Sequence, residues 1–315
     1  MHDDSFSIIY DNDMGNDIDD AFAQVMVARA HKLGKTQFIL SLSSNTNPWS
    51  VAANDALNRY HGVNDCPLAR YRGTVKYSND ASGIAKTMAG GRLIAEAFVA
   101  DGISALRKVL SEAKDKSVRI VATGFASNLA GLLDTRANHN GDGIDAAGIE
   151  LVRGKVQFVS VMACDFNVLH TRIKPYGEFN VSGDVHAMRK LMDDWPTEMI
   201  ISDFLVGQLV PVIWNRLKTR LSANNPLLLG YRRYYDHGKG DPMGNRPSWD
   251  QTSMLYALEP EAGHFGLSDP GEVTIMDDGV SIFKPCENGR RRHLLLNDTH
   301  TPAIISETLL THYQE

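Results

Sequence analysis

The sequence has few cysteines and no long apolar run. Its three cysteines, Cys66, Cys164 and Cys286, are isolated along 315 residues and form neither a metal-type spacing nor a disulfide framework. We therefore expect a reducing, cytoplasmic environment. The first residues contain no basic segment followed by an apolar stretch, so we expect no secretory signal. Since no window approaches the roughly 20 apolar residues of a bilayer-spanning helix, we predict no membrane partner.

The sequence also lacks a long basic tract. Its formal net charge is -6, which argues against nucleic acid or an anionic membrane surface as the main partner. With 43% hydrophobic and 22% charged residues, the composition is that of a globular protein with enough apolar material for a core. No repeat, low-complexity linker or sharp change in composition divides the chain. We therefore predict one domain that spans residues 1–315.

Apolar segments that suit strands alternate with segments that suit helices. Strands are predicted at 6–10, 37–43, 118–122, 156–162 and 199–202, helices at 21–31, 51–61, 93–110 with a break near Gly102, 129–134, 185–191, 205–221, 252–258 and 302–312, and a hairpin at 273–276 and 280–283. This order predicts an α/β fold with a central, mostly parallel sheet flanked by helices. Ligands of such sheets bind beyond the carboxyl ends of the strands. Asp13, Ser127 and the turn after Met162 are therefore expected on one rim.

The most informative segment follows the first strand. Five carboxylates lie between Asp11 and Asp20, around a single glycine, Gly15. So many like charges on one short turn repel each other unless a positive charge lies among them. A hard divalent cation with oxygen ligands is the obvious candidate. Simpler roles remain open for two of them: Asp11 as a structural hydrogen-bonding group, and Asp17 as a helix cap with Asp20 as its capping-box partner.

Two other patterns also place aspartates on such a turn. An EF-hand loop beginning at Asp11 needs glycine at the sixth position and glutamate at the twelfth, where this chain has Asn16 and Phe22. A phosphotransferase of the haloacid-dehalogenase type would use Asp11 as its nucleophile. That family has threonine or valine two residues after the second aspartate, and this chain has Gly15. A Mg²⁺-dependent phosphatase is kept as an alternative.

The acidic turn resembles the first motif of the inosine–uridine nucleoside hydrolase family, which is Asp-x-Asp-x-Gly, a short spacer and Asp-Asp-Ala. The matching residues are Asp11, Asp13, Gly15, Asp19, Asp20 and Ala21. Further resemblances follow in the family's order over about 240 residues, at 43–48, 123–129, 178–180 and 249–250. The chain departs from the commoner family form in having Met14 in place of proline. It also carries two additional residues, including Asp17, before the paired aspartates.

The resemblance implies a calcium-dependent nucleoside N-ribohydrolase with a Rossmann-like core, which releases ribose and a free base. It implies that Ca²⁺ is held by the side chains of Asp13, Asp20 and Asp250 and by the backbone carbonyl of Ser127. Calcium would polarise the attacking water and bind ribose hydroxyls. Asp13 is then the general base that takes the proton from this water.

The resemblance also implies how the substrate is bound. The ribose hydroxyls would be held by Asp19, Asn47, Glu178 and Asn180, with Asn45 as the alternative to Asn47. The partner is a small nucleoside. A homo-oligomer, either a dimer or a tetramer, is implied as well.

The largest departure from the family lies on the side of the leaving base. Many members have a histidine directly before the final metal-binding aspartate, and this chain has Trp249. An indole cannot act as an acid at neutral pH, but it can stack on a base. We predict that His237, a tyrosine of 231–235 or stacking on Trp249 assists the departing base. The alternative is a ribose-binding or nucleoside-binding protein that kept the pocket and lost leaving-group activation.

Overall fold

A mixed, mostly parallel sheet runs through the described part of the protein, residues 6–166, 177–236 and 244–313 of a computed structural model. Its strands are β1 (Ser7–Asn12), β2 (Gln37–Ser43), β3 (Leu68–Arg70), β4 (Ala100–Asp101), β5 (Val118–Ala122), β6 (Val156–Met162), β7 (Glu198–Ser202), β8 (Pro211–Val212), β9 (Arg246–Pro247), β10 (Gly266–Leu267), β11 (Gly271–Ile275), β12 (Ser281–Pro285) and β13 (Arg291–Leu295). The order across the sheet is β4-β3-β2-β1-β5-β6-β7-β13-β11-β12, and β10 pairs with β13. Neighbours are parallel from β4 to β13, and the remaining pairs are antiparallel. β8 and β9 form a separate antiparallel pair.

Helices connect the strands and cover the sheet. They are α1 (Asp19–Lys32), α2 (Pro48–Tyr60), α3 (Ile84–Met88), α4 (Gly102–Glu112), α5 (Ser127–Asp134), α6 (Gly148–Lys155), α7 (Phe179–Gly183), α8 (Val185–Asp194), α9 (Phe204–Leu209), α10 (Trp214–Leu217), α11 (Pro226–Asp236), α12 (Trp249–Leu258) and α13 (Pro302–Thr311). Short 3₁₀ helices lie at Glu96–Phe98, His139–Gly141 and Pro260–Ala262. No helix in the described ranges is long and apolar enough to cross a membrane.

The first strand is buried on both of its faces. Tyr10 packs in an apolar cluster with Phe22 of α1 and Leu255 of α12, while Ile9 packs in a second cluster with Leu129 of α5. The two clusters lie on opposite sides of β1 because successive side chains of a strand point to opposite faces. A strand covered on both sides requires a continuous apolar run. This requirement is why the sequence marks β1 so clearly.

The structure confirms the predicted α/β fold with its central parallel sheet. It also confirms the hairpin, since β11 and β12 pair in antiparallel fashion around the turn that was predicted between them. Helix 51–61 is confirmed with an earlier start, at Pro48, because the side chain of Asn47 caps the helix there. Proline suits the first turn of a helix, where its missing N–H would have no partner.

Two predicted helices are wrong in their extent. The helix predicted at 205–221 is interrupted, because α9 ends at Leu209 and Pro211 enters strand β8. Proline lacks the N–H that would continue the helix. The helix predicted at 93–110 begins only at Gly102, since Asp101 accepts a hydrogen bond from the backbone N–H of Ser104 and sets the N-terminus of α4 there.

Candidate active site

A cavity of about 230 Å³ lies at the carboxyl ends of four neighbouring parallel strands. Asp13 follows β1, Thr123 follows β5, Met162 ends β6, and Phe204 comes two residues after β7. The remaining lining residues are Asn16, Asp17, Asp19, Glu178, Phe179, Asn180, Arg246, Trp249 and Asp250. The cavity therefore lies on the rim where an α/β sheet binds its ligands.

Three buried carboxylates converge at this rim. Asp19 and Asp20 lie in the first turn of α1, and Asp250 lies in the first turn of α12. One oxygen of each lies within 4.8 Å of the others. Burial, together with the neighbouring carboxylates, raises the pKa of all three well above the usual range. Because three such groups cannot all ionise side by side without compensation, the donor set fits a hard divalent cation with oxygen ligands.

Asp13 lies beside this carboxylate cluster. Its backbone N–H donates a hydrogen bond of 3.1 Å to the Asp20 carboxylate, and its own carboxylate accepts one of 2.6 Å from the amide of Asn16. Burial, with the charge of Asp17 as a smaller contribution, raises the pKa of Asp13 to about 7. Asp13 also lines the cavity, so its carboxylate is placed where it can reach a ligand.

Glu178 and Asn180 line another part of the cavity. The Glu178 carboxylate caps α7 by accepting hydrogen bonds from the backbone N–H groups of Asn180, at 3.0 Å, and Val181, at 3.2 Å. The Asn180 amide donates to the carbonyls of Thr123, at 2.9 Å, and Met162, at 3.0 Å, which ties α7 to the ends of β5 and β6. Burial raises the pKa of Glu178 to about 7. Both side chains are thus fixed in position before any substrate binds.

Three other residues named from the sequence have contacts of a different kind. Asn47 caps α2 by accepting a 3.0 Å hydrogen bond from Trp49 N–H, and Asn45 lies behind the acidic turn, where its amide donates to the carbonyls of Asp13 and Met14. The Ser127 hydroxyl donates to Asp184. None of Asn45, Asn47 and Ser127 is among the described residues that line the cavity. Their roles stay predictions, as does that of His237, which lies outside the described residues.

The contacts of Asp17 contradict the hypothesis that it caps α1. Ile18 is the N-cap residue of α1, and no side chain caps it. Asp17 instead pairs with Arg246, accepting hydrogen bonds from the guanidinium Nε at 3.0 Å and from Nη2. The capping-box interpretation is therefore wrong, because Asp17 lies one residue before the N-cap, and its carboxylate accepts from the backbone N–H of Ile18, at 2.6 Å, and from the guanidinium.

Arg246 is the functional candidate that the sequence analysis missed. It lines the cavity, and its guanidinium lies 4.7 Å from the ring centroid of Trp249 and 5.3 Å from that of Tyr234. Its position, three residues before Trp249 at the end of an aromatic segment, was the available signal. A cation was to be expected near so many carboxylates.

Asp11 has a structural role at the end of β1. Its side chain is 1% exposed, it is not among the described residues that line the cavity, and both of its oxygens lie 3.2 Å from the amide nitrogen of Asn128. A nucleophile has to reach its substrate, so this position argues against the phosphatase hypothesis. The structural hypothesis for Asp11 is the one that the contacts support.

Replacing Asn128 by alanine should therefore destabilise the fold. The Asp11 carboxylate would lose a buried donor, which costs about 1–3 kcal/mol. Urea denaturation of Asn128→Ala measures this change. The matched control is Asn64→Ala at an exposed position, where a change within about 0.5 kcal/mol is expected. Equal stability of the two variants would contradict the structural role of Asp11.

Most of the chain is similar to one known protein family. The model of the family described as inosine-uridine preferring nucleoside hydrolase matches residues 8–293. The chain belongs to this family. Its members are enzymes that hydrolyse N-glycosidic bonds with the help of a divalent cation, and the carboxylate cluster fits such an ion. The family resemblance and the enzyme class predicted from the sequence are both confirmed.

Several solved structures share the fold of this chain. An inosine-uridine preferring nucleoside hydrolase from Bacillus anthracis is 12% identical, with a TM-score of 0.70 over 98% of this chain and 99% of the other. A purine-preferring ribonucleoside hydrolase from Gardnerella vaginalis is 14% identical, with a TM-score of 0.71 over 98% of each chain. The type III effector protein XopQ, complexed with adenosine diphosphate ribose, is 14% identical, with a TM-score of 0.69 over 98% of this chain and 92% of the other. No match was found among curated proteins.

The structure also shows how Trp249 is held in place. Trp249 lines the cavity, and its indole N–H donates a 3.0 Å hydrogen bond to the carbonyl of Phe204. The two rings are stacked, with centroids 5.4 Å apart and an angle of 28° between their planes. Trp249 is thereby held as an aromatic wall of the nucleoside hydrolase cavity.

Proposed function

We propose that this member of the family is a calcium-dependent hydrolase that cleaves the N-glycosidic bond of a ribonucleoside and releases ribose and a free base. The observation that carries the proposal is the convergence of the three-carboxylate cluster, Asp13 and an aromatic wall on one cavity. Acidic groups suit the hydroxyls of a sugar, and the indole of Trp249 suits a flat heterocycle.

The carboxylates and Asn180 have defined tasks in this proposal. Asp20 and Asp250, with Asp13 or Asp19, would hold Ca²⁺, which would supply polarisation of the attacking water. The Asp13 carboxylate takes the proton from this water as it attacks C1′. Asp19, Glu178 and Asn180 accept or donate hydrogen bonds to the ribose hydroxyls, and this orientation converts binding energy into rate. The predicted roles of three further groups rest on the family resemblance or the sequence and not on the described cavity lining. These groups are Asn47, the Ser127 carbonyl and His237.

Three further properties are proposed, two from the family resemblance and the location from the three isolated cysteines. They are a homo-oligomeric state, either a dimer or a tetramer, a cytoplasmic location and a place in nucleoside salvage. The oligomeric state can be measured by light scattering of the purified protein.

Incubation with a panel of nucleosides tests the proposed activity. Inosine, guanosine, adenosine, uridine and cytidine are each assayed for reducing-sugar release, and we expect ribose and free base in equal amounts from at least one of them. The alternative function, ribose or nucleoside binding without hydrolysis, is favoured by Trp249 in place of the family's histidine. Calorimetric binding of ribose or nucleoside without sugar release would support that alternative and overturn the hydrolase proposal.

A further inference from the structure

Arg246 and Asp17 form an ion pair at the wall of the cavity. Asp17 accepts hydrogen bonds from Nε and Nη2 of Arg246, and the hydroxyl of Tyr234 donates to the same carboxylate at 3.2 Å. Both partners of the pair line the cavity, where their side chains are 20% and 26% exposed. The guanidinium is therefore oriented by two residues and still reaches the space that a substrate would fill.

Among the described residues, Asp17 is the one that accepts hydrogen bonds from the guanidinium, and it uses only part of the guanidinium's donors. It has five N–H groups, of which Asp17 takes one on Nε and one on Nη2. No hydrogen bond joins Nη1 to any residue within 6–166, 177–236 and 244–313. An arginine with unused donors in a cavity is suited to an acceptor on a ligand.

The position of Arg246 suits contact with the base of a nucleoside rather than with its sugar. The carboxylates of the cavity are acceptors, and a ribose presents hydroxyl donors to them. Arg246 lies over the ring of Trp249 and next to that of Tyr234. Cationic donors beside an aromatic wall are complementary to a flat heterocycle whose edge carries nitrogen and oxygen acceptors.

We propose that Arg246 donates a hydrogen bond to the departing base and stabilises the negative charge that develops on it, and that Asp17 is the positioning residue for Arg246. The inference rests on the proposed hydrolase function. It assigns a role to the additional segment before the paired aspartates and supplies what the family's histidine would otherwise do. Trp249 has no acidic proton to give at neutral pH.

The chemical step balances without a proton from arginine. Water attacks C1′ and loses a proton to the Asp13 carboxylate, the C1′–N bond breaks, and its electron pair goes to the base nitrogen. The base takes a proton from solvent, and Asp13 returns its proton to solvent. Arg246 stays charged throughout, because its pKa lies far above neutral. Its contribution is electrostatic, and removing one such preorganised donor lowers kcat by about 10²–10³ in other enzymes.

A purely structural role is the competing explanation. In that case Arg246 only neutralises the acidic turn, and its loss would disturb the cation site. Such damage would lower the hydrolysis of every riboside by the same factor. Leaving-group activation would instead affect only substrates whose leaving group needs help.

The test compares inosine with 4-nitrophenyl β-D-ribofuranoside, whose nitrophenolate leaves without assistance. For Arg246→Gln we expect kcat with inosine to fall about 10²–10³-fold, with little change for the nitrophenyl riboside. Asp17→Ala should show the same substrate-selective loss to a smaller extent. The matched control is Arg189→Gln, which removes a surface arginine that pairs with Asp277 at 2.7 Å, and it should leave both substrates unchanged.

The results distinguish a failure of the Arg246 role from a failure of the proposed hydrolase function. Equal losses for both substrates, or no loss for either, in Arg246→Gln would overturn the role of Arg246 while leaving the hydrolase function intact. A selective loss in His237→Ala with an unaffected Arg246→Gln would transfer the role to His237 and overturn the proposal as well. If the wild-type protein cleaves neither riboside nor any nucleoside, the proposed function fails first, and the inference fails with it.

Discussion

Replacing Asp13 by asparagine should lower kcat for nucleoside hydrolysis by about 10²–10⁴-fold. An amide has nearly the same shape as the carboxylate and keeps an oxygen for the hydrogen bond from Asn16, but it cannot take a proton from water. Because the geometry is retained, we expect the loss in kcat rather than in KM. Steady-state kinetics on the best substrate of the nucleoside panel measure both parameters.

The matched control for this variant is Asp55→Asn. Asp55 pairs with Arg59 on the surface of α2, at 2.7 Å, so its loss should not change kcat. Thermal unfolding of Asp13→Asn shows whether the fold is kept, which matters because Asp13 is only 4% exposed. Full activity in a folded Asp13→Asn protein would exclude Asp13 as the general base.

Removing divalent cations should abolish hydrolysis and lower Tm, and adding Ca²⁺ should restore both. The carboxylates of Asp19, Asp20 and Asp250 lie within 4.8 Å of one another and are buried, so an ion among them replaces repulsion by attraction. At a Ca²⁺ concentration one hundred times Kd, binding to the folded state alone stabilises it by about 2.7 kcal/mol. In a chain of this size that corresponds to several degrees in Tm.

The stabilisation by Ca²⁺ should grow as the pH rises. Burial and mutual repulsion raise the pKa of Asp20 and Asp250 in the folded state above the unfolded value of about 3.9. Without the ion, the folded protein therefore binds more protons than the unfolded chain, and its stability falls as pH increases through the raised pKa values. Calcium displaces these protons and removes that penalty. Scanning calorimetry at pH 5 and pH 8, with chelator or with Ca²⁺, measures the difference.

Two comparisons make the calcium prediction specific. Asp250→Asn should lose most of the Tm shift, because one of the three charged ligands is gone. Mg²⁺ should give a smaller shift than Ca²⁺, since it requires a near-ideal octahedral set of ligands and dehydrates reluctantly. An identical Tm with and without Ca²⁺ at pH 8 would contradict the cation site altogether.

Local patterns made the fold and its rim predictable. The apolar run of β1 has to be continuous because both faces are buried, and the carboxylates that follow it are costly to bury without a compensating charge. The interruption of the helix predicted at 205–221 could not be inferred from local patterns. The apolar residues of that segment continue past Pro211, and the strand that forms there depends on pairing with β9, more than thirty residues further along the chain.

The candidate site was predictable only in part. Asp13, Asp19, Glu178, Asn180, Trp249 and Asp250 all line the cavity, and each had been named from a motif in the sequence. Asn47 lies outside the lining, because the same turn contains two asparagines and the helix that follows uses one of them as its cap. Which polar residue of a turn faces the ligand depends on the tertiary fold, because motif spacing cannot separate a cap from a ligand.

The sequence by itself determined that a buried strand ends in a dense group of carboxylates, and that such a group requires a positive charge. Tertiary structure alone decided which charges meet. It brings Asp250 to the start of α1 and pairs Asp17 with Arg246, 229 residues away. The local sequence predicted that Asp17 caps α1. In the structure, Asp17 instead pairs with the guanidinium of Arg246. The reason is physical: electrostatic pairing depends on distance in space, and the packing of α12 against α1 sets that distance.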